Sequence, residues 1–125
     1  MVRIAAAMSF AARTDRLGTM TVVVLTGELD IAAEADAMAA LTEAIGDGGV
    51  LVADLRELSF LDSTGVRVLL TADLRAKKRG VRFGVARSTG MVRRLLEVTR
   101  IEQRFPVVDD PAELAEGEAP SSAAQ

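Results

Sequence analysis

The sequence predicts an α/β fold: a mixed sheet of four to five strands with about four helices packed mainly on one face. Three observations predict it. Short apolar or β-branched runs alternate with longer stretches whose apolar residues recur at helical spacing. Glycines stand where several of the helical stretches stop. A tight turn separates only the first two strand candidates, so that pair is expected to be antiparallel, whereas strands joined through helices should run parallel with right-handed crossovers.

The elements follow in order. Ala6 to Arg13 reads as a weak, partly exposed strand, closed by a turn at Asp15-Arg16-Leu17-Gly18. Thr21 to Leu25 is β-branched and short, as a buried strand is, and it ends in Gly27-Glu28-Leu29-Asp30. A helix is expected from Ala33 to about Ile45, because Ala37, Met38, Leu41 and Ile45 share one face and Gly46 follows as a stop. The run Gly46-Asp47-Gly48-Gly49 lacks the Lys-Ser/Thr of a phosphate-binding loop and reads as a turn. Val50 to Asp54 is the next strand, and Arg56 to Leu61 reads as a connection. A second, amphipathic helix is expected from Ser63 to about Arg79, with Val66, Leu69, Leu70 and Leu74 on one face and Arg67, Thr71, Arg75 and Lys78 on another. Its cationic last turn suits the helix dipole. Val81 to Ala86 is a further strand, and Ser88 is the expected cap of a third helix reaching about Thr99, with Val92, Leu95 and Leu96 buried. Phe105 to Val108 reads as a short edge segment. Asp110-Pro111 followed by Glu113 is the start of a short fourth helix. Residues 1–116 are therefore expected to form one domain, and the small, polar residues 117–125 a disordered tail.

Composition narrows the function. The 125-residue chain has no Cys and no His, so thiolate or imidazole metal sites and Ser-His or Cys-His nucleophiles cannot be built, and no cofactor is expected. With no Trp or Tyr, a stacking platform for single-stranded nucleic acid is not expected either. The net charge of −3 is unevenly spread: residues 63–105 carry 11 basic and 3 acidic side chains, between two acidic flanks. A basic block can meet an acidic partner or phosphate, or simply be a solvated surface. The acidic flanks and the missing helix-turn-helix pattern argue against direct binding of nucleic acid through residues 67–104. No segment reaches the roughly 20 apolar residues of a membrane span, so no membrane partner and a cytoplasmic location are expected.

Local chemistry singles out Phe60-Leu61-Asp62-Ser63-Thr64-Gly65-Val66. Ser63 stands where a strand connection meets a helix N-terminus and has the chemistry of an N-cap; Asp62 is the other candidate for the cap, or a group that orients the Ser63 hydroxyl. A phosphate added there would carry about −1.5 to −2 charges. Free helix N–H groups and Arg67, one turn on, could stabilise it. Asp30 reads as a turn or cap residue or a partner-facing one. Gly65 reads either as a first-turn glycine or as a point of close backbone approach by a partner. Ser88 reads as a cap rather than a second phosphosite.

The wider pattern resembles the STAS-domain family of anti-sigma factor antagonists. Thr26 to Asp30 (T-G-E-L-D) looks like the family's strand-end motif, and Leu58 to Val66 (L-S-F-L-D-S-T-G-V) like its phosphorylation motif. Arg87 to Glu97 (R-S-T-G-M-V-R-R-L-L-E) resembles its later Ser-capped helix, and the motifs occur in family order across about residues 8–115. The resemblance implies a STAS-like fold and a binding protein rather than an enzyme. It implies that Ser63 is phosphorylated by an anti-sigma factor with an ATP-binding serine kinase fold, and that a serine phosphatase restores it. The dephosphorylated form would bind the anti-sigma factor and free the sigma factor; the phosphorylated form would let go. The matched partner-binding positions are Asp30, Asp62, Ser63, Thr64 and Gly65, with Arg67 beside them. Val66-Arg67 stand where many members have Leu-Gly. The alternative is a STAS domain that is not phosphorylated and serves as an accessory or structural subunit of a transport or signalling assembly, with Ser63 merely a cap.

Overall fold

In the computed structural model, which describes residues 9–115, strands β1 (Phe10–Leu17), β2 (Met20–Leu29), β3 (Val50–Leu61), β4 (Arg82–Ala86) and β5 (Val107–Val108) form one sheet in the order β1-β2-β3-β4-β5. The first pair is antiparallel and the other three are parallel, as the short turn and the helical crossovers require. The crossovers contain helices α1 (Glu34–Glu43), α2 (Ser63–Lys78) and α3 (Gly90–Thr99); residues 112–115 are also helical. The readings at Ala6 to Met8 and at residues 117–125 lie outside the described residues.

Both faces of the sheet are buried, which is why β2 reads as a continuous apolar run. On one face Val23, Leu25, Leu51, Ala53, Phe83 and Val85 meet Ala37 and Leu41 of α1, Val68, Leu69, Ala72 and Ala76 of α2, and Val92 and Leu96 of α3. On the other face Met20, Val22, Val24, Val50, Val52 and Ala86 cluster with Leu114 from the helical residues 112–115. Helices thus lie mainly on one face, as expected.

Several boundaries differ from the sequence reading. Asp15, Arg16 and Leu17 belong to β1, paired with Val22, Thr21 and Met20, because the turn shrinks to Gly18-Thr19. Arg56 to Leu61 is a continuation of β3, with irregular register opposite Val24/Thr26 and Gly27/Glu28. At the first irregularity the buried Asp54 carboxylate accepts from the Arg56 N–H at 3.0 Å and from its guanidinium at 3.0 and 2.9 Å. These bonds hold the bulged backbone, and the hydrogen bond to Asp54 raises the Arg56 pKa. At the second irregularity Gly27 adopts φ 92°, a backbone that suits only glycine well.

Helix α2 is rotated from its expected face. Its buried stripe is Val68, Leu69, Ala72 and Ala76, whose small members let the helix sit close to the sheet. Val66 and Leu70 flank that stripe half-buried, and Leu74 is 51% exposed. Ser88 does not cap α3. Thr89 holds the cap position without a side-chain bond, while the buried Ser88 hydroxyl donates to the Leu58 carbonyl at 3.4 Å and ties the start of α3 to β3. Beyond α3, a 3-10 turn (Ile101–Gln103) leads to β5, and Phe105 packs edge-on against Phe83 with centroids 4.9 Å apart.

Candidate functional site

Parallel strands deliver their strand-to-helix turns to one edge of the sheet, so residues distant in sequence meet there. Leu29, near the end of β2, is the register partner of Leu61 at the end of β3. The next residue of each strand is an aspartate, and each caps the turn that follows. The Asp30 carboxylate accepts from the Ala32 N–H at 3.0 Å and opens a 3-10 turn (Ile31–Ala33) before α1. The Asp62 carboxylate accepts from the Thr64 N–H at 2.9 Å and the Gly65 N–H at 3.3 Å and opens α2.

Asp62, not Ser63, is therefore the cap. Helical backbone begins at Ser63, whereas Asp62 is extended (φ −123°, ψ −167°), and only an extended residue can fold its carboxylate back over the first turn. Ser63 is the first helical residue and is exposed; its hydroxyl makes no hydrogen bond among the described residues. Two of the helix amides expected to greet a phosphate are already bonded to Asp62. A phosphate on Ser63 would depend on the helix dipole and on Arg67, four residues on and on the same side of the helix. The Arg67 guanidinium stands 3.8 Å from the Glu34 carboxylate of α1, both partners being solvated, so the pair is weak and exchangeable.

The six candidate positions divide. Asp30, Asp62, Ser63 and Arg67 reach the surface at this edge. Thr64 and Gly65 are buried. A Cβ on Gly65 would overlap the Leu61 side chain and stand 3.1 Å from both the Leu29 side chain and the Leu29 carbonyl. Glycine is needed there for α2 to dock on the strand ends; it is not an opening for a partner. Asp30 also lines a cleft of about 190 Å³ with Phe10, Glu28, Ala32 and Asp36, whose three carboxylates make that cleft acidic.

One surface residue was not singled out by its sequence. Ile31, between Asp30 and α1, is 73% exposed. An isoleucine directly after a capping aspartate and off the helical apolar row was the available signal. Among the described residues no group of acidic side chains is arranged to hold a metal ion, and no helix is long and apolar enough to cross a membrane. The edge presents a free hydroxyl on a rigid helix start, an exposed apolar side chain and carboxylates engaged in capping.

The model of the STAS domain family matches residues 11–114. None of the curated proteins matches the chain. Among solved structures, an anti-sigma factor antagonist from Mycobacterium paratuberculosis superposes with a TM-score of 0.74 at 22% identity, covering 87% of this chain and 93% of that one. The anti-sigma factor antagonist SpoIIAA in its unphosphorylated form gives 0.69 at 23% identity, covering 89% and 97%. The Bacillus cell fate determinant SpoIIAA in its phosphorylated form gives 0.61 at 19%, covering 85% and 98%.

Proposed function

The chain belongs to the STAS domain family, and on that premise we propose that it is an anti-sigma factor antagonist whose binding surface is switched by a phosphate on Ser63. The observation that carries this reading is the exposed Ser63 hydroxyl, which has no structural bond to give up because Asp62 does the capping. Unmodified, the edge formed by Asp30, Ile31, Asp62 and Ser63 binds an anti-sigma factor and releases the sigma factor it holds. That anti-sigma factor has an ATP-binding serine kinase fold and transfers the γ-phosphoryl of ATP to the Ser63 Oγ. The new O–P bond replaces the bridging bond to ADP, and the hydroxyl proton leaves to a base of the kinase. The chain contributes the acceptor and its presentation, and no catalysis.

The phosphate adds about −1.5 to −2 charges beside Asp30 and Asp62. Arg67 can turn from Glu34 to the phosphate, which leaves Glu34 uncompensated on the same surface. A partner that packs apolar or acidic groups here is repelled while the fold is kept, and a serine phosphatase reverses the change. The test is titration of Ser63→Ala and Ser63→Asp into the purified cognate anti-sigma factor by calorimetry. Ser63→Ala should bind as the wild type does, and Ser63→Asp about tenfold or more weaker, the size of effect that like charges at an interface produce. Equal binding by Ser63→Asp would contradict the switch.

A further inference from the structure

Arg100 is the non-glycine residue with positive φ among the described residues, at φ 55° and ψ 37°. The position follows α3 directly, where left-handed backbone is usual and glycine usually supplies it, because a Cβ there crowds the neighbouring carbonyl. An arginine in that conformation is a backbone strain, and strain retained at one residue points to a use for its side chain.

Arg100 lines a groove of about 370 Å³ between α2 and the turn leading to β5. Half-buried Val66 and Leu70 and buried Ile101 supply its apolar lining, with Arg100, Gln103 and Arg104 alongside. Leu74, 51% exposed, extends the Val66-Leu70 row by another helical turn. Arg67, Lys77, Arg79, Arg87 and Arg93 all pair with carboxylates. Arg100 and Arg104 do not: neither makes an ion pair or side-chain hydrogen bond among the described residues. Two uncompensated guanidinium groups therefore flank an apolar trough that starts at Val66, three residues from Ser63.

We infer that this groove is a second docking site for the anti-sigma partner, taking an acidic amphipathic segment whose apolar side chains lie on Val66 and Leu70 and whose carboxylates meet Arg100 and Arg104. The inference rests on the function proposed above. Protein fits the trough better than nucleic acid does. Phe10, Phe83 and Phe105 are buried, and no aromatic side chain lines the groove for a base to stack on. Val66, Leu70 and Ile101 give the groove an aliphatic lining that complements an amphipathic segment. The trough begins at Val66, one helical turn from Ser63, and its cations lie outside the Ser63 edge, so this contact adds affinity for the kinase that does not depend on the phosphoacceptor.

The experiment titrates the full chain with the purified cognate anti-sigma factor at low and high salt, comparing wild type, Arg100→Gly/Arg104→Gln and Ser63→Asp. A thermal melt of each chain serves as the folding control. The double variant should keep or raise the melting temperature, because glycine relieves the left-handed residue. It should bind about tenfold weaker at low salt, with a shallower salt dependence, as the loss of interfacial charge pairs requires. Unchanged affinity of the double variant at both salts, with Ser63→Asp still weakened, would overturn the groove and leave the switch standing. The reverse pattern would overturn the switch and leave the groove. If a duplex DNA probe binds the wild type and loses affinity to the double variant while anti-sigma binding is unchanged, the groove serves nucleic acid and the inference is wrong.

Discussion

At the scale of single residues, the separation of roles between Asp62 and Ser63 decides the account. The two are adjacent and equally suited to capping, so composition alone could not say which holds the cap. That depends on where helical backbone begins, one residue earlier than a cap at Ser63 requires. The outcome strengthens Ser63 as an acceptor: a serine that caps a helix has a stabilising duty, whereas this one has none. Two substitutions separate the roles in a chemical denaturation series. Asp62→Ala should destabilise the fold by about 1 kcal/mol, the usual cost of losing a cap. Ser63→Ala should stay within about 0.5 kcal/mol of wild type, as surface substitutions do. A larger loss for Ser63→Ala would mean that the hydroxyl is structural.

At the scale of elements, strands and helices were legible where periodicity is strong and illegible where the backbone departs from it. The helical run from Glu34 to Glu43 and the apolar strands at Thr21 and Val50 could be read directly. The second half of β3 could not, because the bulges opposite Val24/Thr26 and Gly27/Glu28 break the two-residue alternation that marks a strand. Those bulges carry β2 and β3 on to Leu29 and Leu61, against which Gly65 packs. Gly65→Ala should therefore cost roughly 1–3 kcal/mol through overpacking, measured by the same denaturation series, although the site is the first turn of a helix where alanine is ordinarily favourable. The short β5 is held in part by the Arg87–Asp109 pair at 2.8 Å, and the hydrogen bond from Arg87 lowers the Asp109 pKa from 3.8. Because the folded form favours the carboxylate, the contribution of this pair is present above pH 3.8 and is lost as the pH falls through the lower, folded value. Amide exchange at Arg87, whose N–H bonds to the Val108 carbonyl, should lose protection in that acid range in the wild type. In Asp109→Asn the protection should not follow that titration.

At the scale of the whole molecule, the parallel sheet turns a list of motifs into a surface. Each candidate segment could be found in the sequence, but the turns carrying Asp30 and Ser63 are brought side by side only through the pairing of Leu29 with Leu61. That pairing is set by the crossover through α1 and by the bulges; the helix could be read locally, but the register between the strand ends could not. The same geometry buries Thr64 and Gly65, which the motif alone would offer to a partner, and exposes Ile31, which it would not. The proposed switch of this surface lies at Ser63. Its most direct test is mass spectrometry of the full chain after incubation with its cognate anti-sigma kinase and ATP. A single phosphate is expected, on Ser63, absent from Ser63→Ala and absent from the buried Thr64 and Ser88. An active kinase that leaves Ser63 unmodified, or places the phosphate elsewhere, would contradict it.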